Sequence, residues 1–300
     1  MFKDKDIICF LGDSITASGL WEAEVYQVLK KKQKIKCYNC GISGASAETT
    51  LGYMYEECLI YNPDYVVLML GMNDFNKNLY SETAINSVDL NDQREERFVI
   101  HKEKYENIIK NCKDFSSDVI ICLPTPFDDI TDYEAQNLYY QQALDKASVF
   151  QLEMAQKYGC KVVNFRDYMR PLLGKRKIIR EDRVHPTPEG YHVMAQIFLK
   201  EVGAINECDF DTPFEFEEWN KIRYDIEMLN HKLNYVELCD TYFDGYAKNK
   251  SYEEIRNIAK QKLETYNGTS EFVPAAYAEY IEKGHMRAKN KGAKIKYTIF

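Results

Sequence analysis

The sequence predicts an α/β protein, in which a three-layer α/β/α domain with a five-stranded parallel sheet precedes a mainly helical C-terminal extension. Short, nearly continuous apolar runs alternate with longer amphipathic stretches over the first two thirds of the chain. This alternation is typical of parallel strands that are covered by helices on both faces. Beyond about residue 205, apolar residues recur at helical spacing instead. We therefore expect one domain over residues 1–205 and the extension over residues 206–300.

Each element of the α/β domain has its own signal. The apolar runs that predict buried strands are, in chain order, residues 7–11, 35–38, 65–70, 119–123 and 162–165. The stretches that predict amphipathic helices are residues 21–31, 47–60, 93–115, 133–158 and 188–202. The start of the last helix is the most strongly marked, because Thr187 is a favoured N-cap residue and Pro188 suits the first helical position.

The C-terminal extension begins with a capping box that has proline at its first helical position, residues 212–215. A second capping box at residues 251–254 predicts another helix, which should end near Gly268, and residues 274–284 predict a short third one. The aromatic residues of the first helices leave three roles open. They can pack on their own domain, form a homodimer interface, or form a wall over a functional site.

Composition excludes several classes of function. The formal charge of −8 over 300 residues argues against nucleic acid as the main partner. Apolar stretches stay well short of the roughly 18 residues that span a bilayer, so we expect no membrane partner. We recognise no signal peptide, and the nine scattered cysteines suit reduced thiols. Together these observations predict a cytoplasmic protein.

The sequence predicts neither a metal nor a cofactor. Cys37 and Cys40 form the one close cysteine pair, but a zinc ribbon needs a second pair at matching spacing, and the sequence has none. Phosphate-binding and dinucleotide-binding glycine motifs are also missing from the sequence.

Four polar segments carry the functional signal. Gly12-Asp13-Ser14 follows the first predicted strand, Asn39-Cys40-Gly41 the second, and Gly71-Met72-Asn73-Asp74 the third. The fourth, residues 182–186, is Asp-Arg-Val-His-Pro and precedes the last helix. Because the carboxyl ends of parallel strands lie at one edge of a sheet, we expect these segments to meet there.

Three of these residues suit nucleophilic catalysis. A serine hydroxyl such as that of Ser14 attacks a carbonyl only when a base takes its proton. His185 suits that task, since imidazole titrates near neutral pH. Asp182 precedes it by three residues and can reach the far ring nitrogen, where it would fix the tautomer.

In this order, the four segments resemble the blocks of the SGNH hydrolases, also called the GDSL esterase/lipase family. The resemblance covers residues 6 to about 200 and implies a flavodoxin-like fold. It also implies an oxyanion hole that is formed by the backbone N–H groups of Ser14 and Gly41 and by the side-chain amide of Asn73. An esterase of this kind works without metal or cofactor.

We therefore expect a serine esterase that hydrolyses small-molecule carboxylic esters through an acyl-enzyme on Ser14. Short acyl or acetyl esters, including those of carbohydrates, are favoured because the sequence has no evident apolar lid. A lipase or thioesterase acting on longer acyl chains is one alternative. A non-catalytic binding protein that has kept the fold is another.

Several neighbouring residues have competing interpretations. Ser43 and Ser46 lie close to the predicted oxyanion loop and are rival nucleophiles. Asp13 is expected to hold its turn by hydrogen bonds to the backbone. His192 is expected to be a packing or solvent-facing residue, and the pattern around His101 suggests no role.

Overall fold

The computed structural model describes residues 1–134, residues 137–212 and the isolated positions 254, 257 and 258. The three helices predicted for the extension lie outside these residues, so the domain boundary near 205 and the roles of the extension stay predictions. Within the described residues, no helix combines the length and the hydropathy that crossing a bilayer requires.

A five-stranded parallel sheet forms the centre of the domain. Its strands are β1 (Ile7–Gly12), β2 (Lys36–Gly41), β3 (Tyr65–Met69), β4 (Asp118–Leu123) and β5 (Lys161–Asn164). They lie in the order β2-β1-β3-β4-β5, and every neighbouring pair is parallel. The chain moves outward from β1 to β2 and then continues on the other side of β1. The resulting crevice at the carboxyl ends of β1 and β3 is where open α/β sheets bind ligands.

Helices cover both faces of the sheet. They are α1 (Ser14–Ala17), α2 (Leu20–Leu29), α3 (Ala47–Glu57), α4 (Asn91–Asp114), α5 (Tyr140–Tyr158), α6 (Phe165–Met169) and α7 (Pro188–Glu201). Short 3-10 turns occur at Leu59–Tyr61, Lys77–Tyr80 and Arg170–Leu172. Helices α2 and α7 pack together on one face, and α3 and α4 on the other. The predicted three-layer α/β/α fold is confirmed.

Aromatic side chains fill the layer between the sheet and the α2–α7 pair. Trp21 lies edge-on to Phe10 of β1, with ring centroids 5.2 Å apart, and contacts Phe198 of α7 at 5.4 Å. All three side chains are fully buried. Burying rings of this size contributes strongly to the hydrophobic stabilisation, and it fixes α7, and thus the loop before it, against the end of β1.

Helix α5 begins at Tyr140, seven residues later than the start predicted at residue 133. The reason is a long-range interaction, because the backbone carbonyls of Tyr133 and Glu134 accept hydrogen bonds from Arg183. The short helices α1 and α6 were not predicted. Each follows a strand directly and is capped by one side chain, Asp13 or Asn164.

Candidate active site

Ser14 is the first residue of α1, directly after β1, and its side chain is half-buried at the rim of the sheet. The turn requires glycine at position 12, because a Cβ there would lie 2.3 Å from the Thr16 hydroxyl and 2.7 Å from the Met69 carbonyl oxygen. Asp13 accepts a hydrogen bond from the backbone N–H of Ile15 at 2.9 Å, so its expected role in the turn is confirmed.

The fourth segment lies over the same edge of the sheet. The His185 Nε2 atom is 2.9 Å from the Ser14 hydroxyl oxygen, although the two residues are 171 positions apart in the chain. On the other side of the ring, Nδ1 is 2.7 Å from the Asp182 Oδ2 atom. The structure therefore brings together the three residues that the sequence predicted as a nucleophile, a base and an orienting carboxylate.

The backbone of the loop holds the Asp182 carboxylate in place. Its Oδ1 atom accepts hydrogen bonds from the N–H groups of Val184 and His185, both at 2.9 Å. Burial alone would raise the pKa of Asp182, but these bonds and the His185 side chain outweigh it and lower the pKa below its usual range. The carboxylate therefore stays ionised and acts as an acceptor for the Nδ1–H of the imidazole.

Gly41 ends β2 and pairs with Gly12 across the sheet, so it borders the serine turn. A Cβ at position 41 would lie 2.4 Å from the backbone nitrogen of Ala17, which is why the close approach of β2 to α1 needs glycine. The N–H of Gly41 donates to the Asn39 side-chain oxygen at 2.9 Å. An oxyanion bound at this position has to share that N–H with Asn39 or displace the side chain.

Asn73 follows β3 and is exposed at the same edge. Its side-chain amide donates to the backbone carbonyl of Ala45 at 3.1 Å, which fixes its orientation relative to the loop after β2. An amide nitrogen carries two hydrogens, and Ala45 uses one of them. The residues that the sequence predicted for the oxyanion hole thus follow β1, β2 and β3, which lie side by side.

The comparison with known families decides the identity of this arrangement. The family described as GDSL-like lipase/acylhydrolase matches residues 8–198, which include all four polar segments. The chain belongs to this family. It is a carboxylic ester hydrolase, and the predicted resemblance is confirmed.

Similar proteins share this fold with the GDSL hydrolase described here. An acetylxylan esterase from Geobacillus stearothermophilus is 23% identical over 220 residues, which are 65% of this chain and 93% of the relative. A solved mutant of Axe2, an acetyl-xylooligosaccharide esterase from Geobacillus, superposes with a TM-score of 0.56 at 20% identity, over 67% of this chain and 96% of the other. A gut microbial diltiazem-metabolizing enzyme gives a TM-score of 0.61 at 22% identity, over 68% of this chain. This chain covers 48% of that enzyme, about half of its length.

Sequence reasoning missed Arg183, which lies between Asp182 and His185 in the chain and is buried. Its guanidinium donates to the carbonyl oxygens of Asp128 and Thr131, at 2.7 and 3.1 Å, and to those of Tyr133 and Glu134, at 2.7 and 3.2 Å. The backbone of Arg183 adopts the left-handed region, with φ of 65°. This residue therefore joins the loop before α5 to the loop that carries the imidazole.

Sequence reasoning also missed a buried pair beneath Asn73. The Asp74 Oδ1 atom accepts hydrogen bonds from the His101 Nδ1 atom at 2.8 Å and from the backbone N–H of Ala47 at 2.9 Å. His101 lies on α4, and Ala47 is the first residue of α3. No local pattern marks such a pair, because its members come from separate elements.

Among the described residues, neither rival serine hydrogen-bonds to His185, and Ser46 has a structural role instead. The hydroxyl of Ser46 accepts from the Thr49 N–H and caps α3, whereas Ser43 is exposed on the adjoining loop. His192 is buried, as expected for a packing residue, with Nδ1 3.0 Å from both carboxylate oxygens of Glu24. Burial would lower the pKa of His192, but Glu24 outweighs it and raises that pKa.

A cavity of about 410 Å³ opens beside residues 181–183 of the GDSL hydrolase. Most of its lining residues are polar or charged, and two are aromatic. They are Lys77, Phe127, Asp132, Tyr133, Glu134, Asn137, Glu181, Asp182 and Arg183. The cavity therefore offers mainly hydrogen-bonding groups, and of the three residues Ser14, His185 and Asp182 only Asp182 lines it.

Proposed function

We propose that this GDSL hydrolase removes acetyl or other short acyl groups from hydroxylated small molecules, with acylated carbohydrates as the favoured substrates. The observation that carries the proposal is the chain of contacts from the Ser14 hydroxyl through His185 to Asp182, at 2.9 and 2.7 Å. Both distances lie in the range of a working nucleophile and base.

The reaction follows from this geometry. His185 takes the hydroxyl proton through Nε2 while the Ser14 oxygen attacks the ester carbonyl, and Asp182 stabilises the imidazolium that forms. The same Nε2 then gives its proton to the departing alcohol, which leaves the acyl group bound to the serine. A water molecule enters, loses a proton to the imidazole and releases the acid.

The negative charge on the carbonyl oxygen needs donors during both halves of the reaction. The candidate donors are the backbone N–H of Ser14, the amide hydrogen of Asn73 that Ala45 leaves unused, and the N–H of Gly41 once its bond to Asn39 is shared or displaced. Removing one donor of such a set typically lowers kcat by about 10²–10³-fold. We assign the oxyanion hole to these three residues.

The substrate class rests on the cavity and on the relatives. A cavity lined mainly by carboxylates, together with Lys77, Asn137 and Tyr133, suits a sugar, which presents hydroxyl groups to hydrogen-bonding partners. A long acyl chain would need a continuous apolar channel instead. The named activities of the similar proteins from Geobacillus, on acetylated xylan and xylo-oligosaccharides, support the same substrate class.

The test compares hydrolysis of p-nitrophenyl acetate, butyrate, octanoate and palmitate, and of acetylated xylo-oligosaccharide, by the wild type, Ser14→Ala and Ser43→Ala. We expect activity to fall beyond the short esters and to drop by roughly 10⁶-fold in Ser14→Ala. Ser43→Ala, which removes an exposed hydroxyl of the neighbouring loop, should keep full activity. Equal activity of Ser14→Ala and the wild type would refute the acyl-enzyme. A maximum at octanoate would instead favour a lipase or thioesterase.

A further inference from the structure

Three cysteine side chains meet in the interior, on the face of the sheet that α3 and α4 cover. Cys9 lies on β1, Cys40 lies on β2, and Cys58 directly follows α3. Their Sγ atoms all lie within 4.8 Å of one another, and all three residues are buried. None of them takes part in the proposed reaction.

Side chains alternate between the two faces of the sheet along β2, which places Cys40 in this cluster. The same alternation keeps Cys37, its close neighbour in sequence, out of it. Cys37 and Cys40 are three positions apart, so they point to opposite faces of the sheet. Cys37 belongs to the core under α2 and α7, whereas Cys40 belongs to the core under α3 and α4. Because Leu11 pairs with Cys40, the residue two positions earlier on β1, Cys9, lies diagonally beside it on the same face.

Two of the three thiols donate hydrogen bonds to backbone carbonyl oxygens, Cys9 to that of Cys58 at 3.7 Å and Cys40 to that of Tyr38 at 3.8 Å. The pKa values of Cys9 and Cys58 are raised well above the usual range, first of all by burial. Burial thus favours the neutral thiol at these two positions, and a metal ion bound in this apolar interior would take the place of thiol protons.

We propose that Cys9, Cys40 and Cys58 form a closed three-sulfur binding site for a soft monovalent metal ion of the Cu(I) class. A metal–sulfur bond of about 2.3 Å places three sulfurs about 4 Å apart around one ion, which is within the spacing of this cluster. Thiolate ligands select Cu(I) over hard cations, whereas structural zinc takes four ligands. Among the described residues, no fourth histidine, cysteine or carboxylate joins these three cysteines.

Binding is a ligand exchange and needs no oxidant. The ion leaves its carrier and accepts a lone pair from each sulfur. A thiol that becomes a thiolate on binding compensates the charge of the ion and releases its proton to solvent. The test measures metal binding directly, so its outcome does not rely on the proposed function.

The experiment titrates the reduced full-length protein with Cu(I) under anaerobic conditions, in competition with the chromophoric chelator bicinchoninate. The variants are Cys40→Ser, Cys9→Ala, Cys58→Ala and the control Cys37→Ala, a buried cysteine of β2 that points to the opposite face. Circular dichroism identifies the variants that keep the fold. X-ray absorption at the copper edge counts the sulfur ligands.

We expect the wild type and Cys37→Ala to bind one tight equivalent with three sulfur ligands. Each folded variant of the cluster should bind at least about 100-fold more weakly, since losing even an outer-shell partner costs 10–100-fold. The proposal is overturned if the wild type binds no tight equivalent or if the three cluster variants retain it. A parallel titration with Zn²⁺ tests the class of ion, because tighter binding of Zn²⁺ at the same cysteines would reject the monovalent assignment.

Discussion

The His101 imidazole and the Asp74 carboxylate form a buried pair, with Nδ1 and Oδ1 2.8 Å apart. The same oxygen of Asp74 also accepts the backbone N–H of Ala47 at 2.9 Å. One carboxylate thus connects α4, the first turn of α3 and the loop that presents Asn73. The position of the Asn73 amide therefore depends on a histidine that lies away from the reacting groups.

Replacing His101 with Phe keeps an aromatic ring in the core but removes the donor to Asp74. We expect the free energy of unfolding to fall by about 1–3 kcal/mol, because a buried acceptor loses its partner. Urea denaturation measures this change. We also expect kcat for p-nitrophenyl acetate to fall by about tenfold with a smaller change in KM, since the Asn73 amide is less well fixed.

The matched comparison for His101→Phe is Glu95→Gln, which lies on the same helix, α4. It removes an exposed ion pair with Lys146 of α5. Changes at such a site are usually within about 0.5 kcal/mol, so this variant should resemble the wild type in both measurements. Unchanged stability of His101→Phe would contradict the role of the pair.

Asp182→Asn tests the orienting carboxylate. The amide keeps the size of the side chain, but it no longer provides a charged acceptor for the imidazole, and the wrong tautomer of His185 becomes accessible. We expect kcat to fall by up to about 10⁴-fold at neutral pH. Glu181→Gln removes the neighbouring exposed carboxylate and should lower kcat by less than about threefold by the same assay. Similar losses in both variants would indicate that general charge, rather than contact with the imidazole, matters.

Arg183→Lys tests the connection between the two loops beside the cavity. Lysine keeps the charge but lacks the planar fork that reaches four carbonyl oxygens. We expect a loss of about 1–3 kcal/mol in urea denaturation, because buried carbonyls such as that of Asp128 lose their donor. We also expect a higher KM, since the loop before α5 lines the cavity. Arg97→Lys on the exposed face of α4 should change neither, and equal behaviour of the two variants would reject this role.

The fold could be predicted from the sequence to a large extent, because its determinants are local. Apolar runs and capping residues such as Thr187 lie next to the elements that they specify, and the strands begin and end within a few residues of the predicted positions. The order of the polar segments predicted that Ser14, Asp182 and His185 would meet, and the structure brings them together, since strand ends of a parallel sheet share one edge.

The features that could not be predicted depend on contacts between distant segments. Helix α5 begins later than predicted because Arg183 donates hydrogen bonds to the carbonyls of Tyr133 and Glu134, about 50 residues earlier in the chain. Asp74 meets His101 from another element, and Cys40 meets Cys9 and Cys58 rather than its sequence neighbour Cys37. Spacing along one chain segment carries no information about such pairs.

The buried Asp13 should make the free energy of unfolding depend on pH. Burial is the main cause that raises its pKa to about 7, the N–H of Ile15 opposes this shift, and the nearby Asp74 adds to it. Between about pH 4 and pH 7, folded protein keeps a proton on Asp13 that the unfolded chain has lost. The unfolded state binds fewer protons in this window, so the free energy of unfolding falls as the pH rises.

Asp13→Asn isolates this contribution, because the amide is neutral at every pH and its oxygen can still accept from Ile15. A shift of about three pKa units corresponds to roughly 4 kcal/mol, so the variant should exceed the wild type by up to that amount at pH 8 and match it near pH 4. Urea denaturation at both pH values measures the difference. The pKa of Glu22 is also raised, mainly by burial and to a smaller extent by Asp13. Because Glu22 is present in both proteins, it adds to the pH dependence of the free energy of unfolding in each. Asp118→Asn, a change at an exposed carboxylate, should show the same pH dependence as the wild type. If the free energy of unfolding changes with pH in parallel for the wild type and Asp13→Asn, Asp13 is ionised in the folded protein at pH 5.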